Sequence, residues 1–310
     1  MIVTVTLNPA VDEEFVVSDF RPGGWLRSQQ ADRTPGGKGI NVSIMLHQIG
    51  YESTAMGYLA GFNGAYILDF LRREQITTSF VHVPGETRTN VYIIDENGNV
   101  GTGLSEPGPD VSEDAQVRFM RMYTRMLQRA RVVVIGGSLP PGVETGIYAE
   151  LIRKAQSLGI PTIIDSAGEP LLEALDAEPT IAKIDHRFMS RMHGVPLNSL
   201  DNIIDVVSRL RERGIQWVIA SYHVFGNVFS CPDGIFLSMS DRRTAVSLFA
   251  SSDALIAGMI AAREEKMSSL DTIRFAMACA WETTTHFEKG IFGRAAVADI
   301  MRKVEIEKLC

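Results

Sequence analysis

Several short stretches combine residue types that can hold a phosphate or another oxygen-rich ligand. The sharpest is Pro35-Gly36-Gly37-Lys38-Gly39, which directly precedes an apolar run with helical spacing. Glycines let the backbone approach a ligand and expose N–H groups, and the lysine adds a point charge suited to a phosphate. The G-x-x-x-x-G-K-[ST] spacing of a P-loop is absent. Taken alone, such a stretch is more commonly a tight turn.

Other polar residues follow strand-like runs, where the ligands of α/β proteins gather. Asp12 comes shortly after the first strand and is either a substrate-binding carboxylate or a turn cap. Arg27 and Arg88 have guanidinium groups that match phosphate oxygens, although isolated arginines are usually solvated. Ser138 lies in a glycine-rich and proline-rich loop after the run 132–135, which either lines a crevice or merely turns the chain.

Ser251-Ser252-Asp253 precedes a second apolar helix. An aspartate at this place is most often a helix cap, and the functional alternative is a general base at the positive helix terminus. The histidines His186, His193 and His223 lack partners at zinc-ligand spacing, so we expect no metal site built on them.

Strand-like and helix-like segments alternate along the chain, which predicts a mostly parallel sheet with helices on both faces. The predicted strands are 2–6, 53–56, 132–135, 162–164, 180–184 and 217–221. The predicted helices are 39–49, 65–73, 113–129, 145–158, 200–213 and 254–264. Two stretches, 14–34 and 87–103, read as strands and turns without a helix, and they predict either a small β appendage that covers a site or ordinary surface hairpins.

Composition narrows the class of protein. The 310 residues have a net charge of −7 and an ordinary apolar fraction of 45%, so we expect a globular protein without a nucleic-acid partner. No signal peptide or apolar membrane span is evident, which predicts a cytoplasmic protein without a membrane partner. The three distant cysteines predict reduced thiols.

The order of the motifs resembles the phosphofructokinase-B family of ribokinase-like carbohydrate kinases, above all its 1-phosphofructokinases and tagatose-6-phosphate kinases. The matching stretches are Leu7-Asn8-Pro9-Ala10 with Asp12, Gly36 to Val42, Thr87-Arg88-Thr89-Asn90-Val91, Glu106-Pro107-Gly108-Pro109, Gly137 to Gly142 and Asp165-Ser166-Ala167-Gly168-Glu169. The resemblance runs through almost the whole chain, and six motifs in the family's order are far more specific than any one of them.

The resemblance implies one three-layer αβα, Rossmann-like domain over residues 1–310 with a small β-sheet lid at about 13–34 and 86–104. It implies phosphoryl transfer from ATP, with Mg²⁺, to a hydroxyl of a phosphorylated ketohexose such as fructose 1-phosphate or tagatose 6-phosphate. It also implies a homodimer that pairs through the lids.

The resemblance further implies a role for individual residues. Asp253 would be the general base. The sugar hydroxyls would be held by Asp12, Gly37, Asn41, Asn90 and Ser138, and the sugar's phosphate by Arg27, Lys38 and Arg88. The nucleotide and its anion hole would be served by Lys183, Asp185, Ser221, Gly226, Ala250, Ser251 and Ser252, with Asp185 also a weak metal ligand.

The sequence departs from the family pattern on the nucleotide side. The family's Gly-Ala-Gly-Asp reads Ala250-Ser251-Ser252-Asp253, and its Lys-Pro-Asn-x-x-Glu reads Lys183 to Phe188, with Asp185 for the asparagine and Phe188 for the glutamate. The first glycine of Ser-Leu-Gly-Ala-x-Gly is His223. Missing glycines weaken an anion hole, because a residue other than glycine at positive φ is strained by roughly 1–2 kcal/mol.

Two hypotheses of different classes therefore remain. One is a working kinase with an altered nucleotide pocket, which the retained Asp253 favours. The other is a pseudokinase that binds a sugar phosphate as a sensor or regulator, which the missing glycines and Phe188 favour. A kinase for nucleosides or ribose fits less well, because Lys38 and Arg88 suit a substrate that already carries a phosphate.

Overall fold

The architecture comes from a computed structural model. It describes residues 1–97, 100–185, 199–223, 225–241, 247, 249–286 and 288–310.

A ten-stranded sheet forms the middle layer of the fold. Its strands, in chain order, are β1 (Ile2–Thr6), β4 (Ser53–Leu59), β5 (Thr77–His82), β8 (Val132–Gly136), β9 (Thr162–Asp165), β10 (Ile181–Ile184), β11 (Trp217–Tyr222), β12 (Gly226–Cys231), β13 (Gly234–Met239) and β14 (Glu305–Lys308). Their spatial order is β14-β13-β12-β11-β10-β9-β8-β1-β4-β5. The seven strands from β11 to β5 are parallel, and β12, β13 and β14 add an antiparallel edge.

Nine helices of the described residues accompany this sheet. They are α1 (Lys38–Gln48), α2 (Gly61–Arg73), α3 (Glu113–Leu127), α4 (Ile147–Gln156), α5 (Gly168–Asp176), α6 (Leu200–Glu212), α7 (Ser251–Glu264), α8 (Ser269–Glu282) and α9 (Arg294–Met301). Side chains of β1 alternate between two cores: Val3 and Val5 pack with α3 to α6, whereas Ile2 packs with α1, α7, α8 and α9. A strand buried on both faces in this way lies between two helical layers.

A second sheet of four strands packs beside the first. It consists of β2 (Ala10–Val17), β3 (Gln30–Gly36), β6 (Arg88–Asp95) and β7 (Val100–Ser105), in the order β3-β2-β6-β7. These strands overlap the two stretches that we expected to form a β appendage. The register of β2 with β6 places Asn90 directly beside Asp12.

The predicted three-layer α/β architecture is confirmed. Sequence reasoning did not identify the parallel edge strand β5, the antiparallel edge strands β12 to β14, or the helices α5, α8 and α9. The β12–β13 hairpin had a local signal, because Asp233-Gly234 is a common hairpin turn pair. None of the helices in the described part of the chain combines the length and the apolar character that a membrane span requires.

Candidate active site

The order in which strands are added to the large sheet reverses at β1. This change of direction leaves a crevice beside β1. From β1 the strand order runs to β4 and β5 on one side, and to β8 and beyond on the other. In an open α/β sheet, ligands bind at such a switch point, beyond the carboxyl ends of the strands. Asn8 follows β1 and Ser138 follows β8, so both lie at this edge.

A cavity of about 580 Å³ lies at this edge. It is lined by Asn8, Asp12, Gly37, Lys38, Asn41, Arg88, Asn90, Tyr92, Gly137, Ser138, Phe249, Ala250, Ser251, Ser252 and Asp253. Most of the residues predicted for the sugar and its phosphate therefore lie around one space. Gly36 lies beside it, and a methyl group there would stand 2.3 Å from Asp12 Oδ2. Only glycine allows β3 to pass so close to that carboxylate.

Four buried acceptor oxygens on residues that line this cavity have no hydrogen-bond partner within the described part of the chain. They are Asn8 Oδ1, Asn41 Oδ1, Asn90 Oδ1 and Asp253 Oδ1, the last of which has an ion-pair contact with Lys38. The carboxylates beside Asn41 and Asn90 orient these two amides, because Asn41 Nδ2 donates to Asp253 Oδ2 at 2.7 Å and Asn90 Nδ2 donates to Asp12 Oδ1 at 2.8 Å. The carboxylates and amides make this wall of the cavity suited to a ligand with several hydroxyl groups.

Asp12 is held by a cation as well as by an amide. Lys289 Nζ donates to Asp12 Oδ2 at 2.6 Å and to the backbone carbonyl of Pro35 at 3.0 Å. Only 4% of each side chain of this ion pair is exposed. Each carboxylate oxygen of Asp12 thus has one donor, and a further lone pair on each remains available to a ligand.

Asp253 lies in the first turn of α7 and is buried. Asn41 donates to its Oδ2, and Lys38 Nζ lies 3.6 Å from its Oδ1. Burial raises the pKa of Asp253 above its ordinary value, and Asp165 adds to this effect, while Lys38 opposes it. A carboxylate with a raised pKa, aimed into a cavity, has the properties of a general base.

Lys38 joins two carboxylates at the bottom of the crevice. Its Nζ donates to Asp165 Oδ2 at 3.0 Å, in addition to its contact with Asp253. Lys183 Nζ lies 4.0 Å from Asp165, and Ser252 Oγ donates to Asp165 at 2.9 Å. Burial alone would raise the pKa of Asp165, but Lys183 and Lys38 outweigh it and hold that pKa below its usual range. For Lys38, burial is likewise outweighed by the two carboxylates, which raise its pKa.

A second cavity of about 550 Å³ adjoins the first. It is lined by Lys183, Asp185, Ser221, His223, Phe225, Gly226, Asn227, Ser240, Ser251, Ser252, Leu255, Ala280 and Thr284. The residues predicted for the nucleotide side thus lie around it, except Ala250, which lines the first cavity. Ser251 and Ser252, at the start of α7, line both spaces. The N-terminus of a helix, which favours negative charge, therefore lies where the two cavities meet.

Two of the departures from the family pattern keep a glycine-like backbone. Ala250 has φ 56° and His223 has φ 52°, both in the left-handed region. Glycine adopts this conformation without strain. For Ala250 and His223 it costs roughly 1–2 kcal/mol each. Ser252 is different, because it lies within α7 and needs no glycine.

Two predicted site residues are placed differently from the others. Arg27 is exposed in the segment between β2 and β3 and lines neither cavity. Lys38 lines the first cavity, yet its ammonium group is bound to carboxylates of the chain rather than turned freely towards a phosphate position. Phe188, His186 and His193 lie outside the described residues.

Sequence reasoning missed several residues of the site. Lys289 lies 277 residues from Asp12, and no local motif marks it. Phe249 and Tyr92 form an edge-to-face pair with ring centroids 4.2 Å apart on the cavity wall. Asp165 and Asn8 were both part of recognised motifs but received no role. Their positions, at the end of β9 and just after β1, could have indicated that they lie at a ligand site.

Comparisons with known proteins identify the family of this chain. The profile of the pfkB family carbohydrate kinases matches residues 6–291. A 1-phosphofructokinase from Bacillus subtilis is 29% identical over 309 residues, which cover 100% of both chains.

Solved structures are similar as well. A possible 1-phosphofructokinase from Thermotoga maritima is 33% identical, with a TM-score of 0.92 and full coverage of both chains. The tetrameric inhibited form of phosphofructokinase-2 from Escherichia coli is 25% identical, with a TM-score of 0.86, over 97% of this chain and 98% of that one. The family profile spans nearly the whole chain and includes every residue that lines the two cavities, so the chain belongs to the pfkB family of carbohydrate kinases.

Proposed function

We propose that this protein transfers the terminal phosphoryl group of ATP to a hydroxyl of a phosphorylated ketohexose, with fructose 1-phosphate as the first candidate. The observation that carries the proposal is a single cavity lined by Asp12, Asn41, Asn90 and Asp253 together with the cationic Arg88. A phosphorylated sugar offers hydroxyl groups to the carboxylates and amides and an anion to the guanidinium group. The names of the Bacillus subtilis and Thermotoga maritima relatives favour fructose 1-phosphate over tagatose 6-phosphate.

The phosphate already on the sugar needs a cation that is not neutralised by the chain. Arg88 lines the first cavity, and its described hydrogen bonds go to carbonyl oxygens of Asn8 and Glu106, both at 3.3 Å. Among the described residues, no carboxylate lies within ion-pair distance of its guanidinium group. Burial lowers the pKa of Arg88 from its ordinary value, although Asp12 opposes that effect. A bound phosphate would stabilise the charged guanidinium group, which burial has deprived of water.

The chemical step requires a base, an acceptor hydroxyl and a site for developing negative charge. Asp253 accepts the proton of the sugar hydroxyl and orients that hydroxyl for in-line attack. The first N–H groups of α7, at Ser251 and Ser252, lie where the two cavities meet and stabilise the transferred group. Lys38 lies beside Asp253 and provides positive charge at the same point.

The second cavity is the place for the nucleotide. Lys183 and Ser221 line it together with Asp185, and these residues supply positive charge, a hydroxyl group and a carboxylate. Magnesium is held in such sites by one or two carboxylates and the phosphates of the nucleotide, so Asp185 fits that ion without a cluster of acidic residues. When bound, Mg²⁺ neutralises charge on the phosphate oxygens.

The β2-β3-β6-β7 sheet would serve as a lid that excludes water and as the contact with a second copy of the chain. Asp12, Arg88 and Asn90 bring this sheet into the wall of the first cavity. Its outer parts carry exposed apolar side chains: Trp25 is 98% exposed and Leu104 is 65% exposed. The tetrameric relative from Escherichia coli also favours assembly. Such exposed apolar groups favour burial against another subunit.

A pseudokinase that binds sugar phosphate without transfer is the second candidate. The observation in its favour is His223, which lines the nucleotide cavity and packs against Tyr222 with ring centroids 4.2 Å apart, where the family pattern has glycine. The retained left-handed backbone at His223 and Ala250 weighs against it.

The first prediction concerns turnover and its base. Wild-type protein with Mg-ATP should phosphorylate fructose 1-phosphate in a coupled assay, and Asp253→Asn should lower kcat by about 100- to 10,000-fold, because the proton acceptor is lost. Calorimetry should find the sugar phosphate still bound to the variant.

The wild-type kcat should fall at low pH, through a pKa above the ordinary aspartate value, as Asp253 becomes protonated. Binding of sugar phosphate by wild-type protein without ATP binding or turnover would favour the pseudokinase.

The second prediction concerns the phosphate of the sugar. Arg88→Ala should weaken the binding of fructose 1-phosphate about tenfold or more, because a charge-assisted contact is lost. Arg118→Ala, on the exposed face of α3, is the matched control and should leave the affinity unchanged. Equal affinities of the Arg88 variant and wild-type protein by calorimetry would refute the phosphate role.

The third prediction separates Ala250 and Ser252, two of the three positions at which the family pattern has glycine. Ala250→Gly should raise the free energy of unfolding by roughly 0.5–1 kcal/mol, because relief of left-handed strain exceeds the added chain entropy. Ser252→Gly should lower it by about 1 kcal/mol, because a helix residue and its bond to Asp165 are lost. Urea denaturation measures both. A kcat gain above tenfold in Ala250→Gly would instead show that the alanine methyl group obstructs transfer.

The fourth prediction concerns assembly. Sedimentation velocity should find the wild-type protein as a dimer, or a multiple of it, of the 34.1 kDa chain. Trp25→Ser should shift it towards the monomer, since burial of the indole is lost. Phe62→Ser is the control, because Phe62 is 89% exposed on α2, outside the second sheet. A monomeric wild-type protein at micromolar concentration would exclude the dimer.

A further inference from the structure

Lys289 is a buried lysine that no part of the proposed chemistry uses directly. It lies between α8 and α9, and only 4% of its side chain is exposed. Its ammonium group contacts Asp12 of β2 and the carbonyl of Pro35 in β3, and it lies 5.4 Å from the centre of the Phe249 ring. A lysine side chain loses much conformational entropy on burial, so this placement needs a compensating interaction.

That compensation comes from two carboxylates on one face of β2. Asp12 and Glu14 are two residues apart in the strand, so their side chains point to the same side. Both are buried, and no described residue forms a hydrogen bond with Glu14 Oε2. Burial raises the pKa of Glu14 to about 7, with Asp12 and Asp32 adding to the effect and Lys289 opposing it. Lys289 therefore balances charge in a region where two anions would otherwise repel each other.

The direction of the Asp12 carboxylate depends on the same lysine. Asn90 holds one oxygen and Lys289 holds the other, so the plane of the carboxylate cannot turn without breaking one of two short contacts. The side chain of Lys289 does not line the cavity, whereas that of Asp12 does. Lys289 therefore reaches the cavity through the two residues that it contacts on the cavity wall, by a hydrogen bond to Asp12 and by its position over the ring of Phe249.

We infer that Lys289 is a positioning residue for the sugar: it holds the Asp12 carboxylate in the orientation that accepts sugar hydroxyls. The inference rests on the proposed function and extends it to a part of the chain that no motif marks. Because Lys289 also contacts β3 and lies over Phe249, one side chain aligns the second sheet with the segment that leads into α7.

The test measures sugar binding and kinetics in Lys289→Met and Lys289→Arg, using the full chain. In Lys289→Met, the calorimetric Kd and the KM for fructose 1-phosphate should rise about tenfold or more, because a charged hydrogen bond to Asp12 is lost. The KM for ATP and kcat should stay within about threefold of wild type. Lys289→Arg keeps the charge and should lie closer to wild type in sugar affinity. Lys303→Met, at an exposed lysine, is the matched control.

The outcomes separate the inference from the proposed function. If wild-type protein binds none of fructose 1-phosphate, fructose 6-phosphate and tagatose 6-phosphate, the proposed function is wrong and this inference falls with it. If wild-type protein binds one of them and Lys289→Met binds it equally well, only the inference is wrong. A purely structural role would lower the melting temperature of Lys289→Met and leave the sugar KM of the folded protein unchanged.

A second variant keeps the test decisive if Lys289→Met does not fold. The double change Glu14→Gln and Lys289→Met removes one buried carboxylate together with the lysine, so the charge of the region is balanced again. This variant should fold, and it should still bind the sugar phosphate about tenfold more weakly than Glu14→Gln alone. Equal sugar affinity of the double variant and Glu14→Gln would overturn the inference.

Discussion

The candidate site depends on one ion-pair arrangement, the contact of Lys38 with Asp165 and Asp253. These residues belong to the start of α1, the end of β9 and the first turn of α7, which are far apart in the sequence. Two buried carboxylates this close would repel each other, and each would lose its hydration. Lys38, Lys183 and Ser252 all lie around Asp165 Oδ2 and make the proximity of the two carboxylates favourable. The two cavities meet at this point because these charges hold the two helix termini together.

The departures from the family pattern look different once the backbone is considered. Loss of a glycine damages an anion hole when the new residue forces the backbone out of the left-handed region. Ala250 and His223 stay in that region, so the chain accepts strain and keeps the direction of its N–H groups. Ser252 compensates in another way, because its hydroxyl group anchors Asp165. At His223, what changes is therefore mainly the size of the side chain on the wall of the second cavity.

The sequence predicted those features that local patterns encode. The alternation of strands and helices identified the α/β architecture, and the motif residues around Asp12, Asn41, Asn90 and Asp253 do meet in one cavity. Lys289 could not be identified in this way, because a lysine in a sequence is normally expected to be exposed. Only the tertiary fold brings Lys289 to Asp12. Arg27 is the opposite case, a residue that the sequence suggested for the site but that lies outside it. An arginine suits a phosphate, but the segment between β2 and β3 leaves Arg27 exposed and outside both cavities.

The charges around the first cavity also favour one orientation of a bound sugar phosphate. At one part of the first cavity, the Arg88 guanidinium group has only carbonyl partners among the described residues, so it favours an anionic group. At another part, Asp253 and the start of α7 adjoin the second cavity, where the proposed transfer would need the accepting hydroxyl group. Asp12 and Asn90 come from the same sheet as Arg88, whereas Asn41 is bonded to Asp253. A sugar with its phosphate near Arg88 would therefore present a distal hydroxyl to Asp253, which is the polarity that a kinase for sugar phosphates requires.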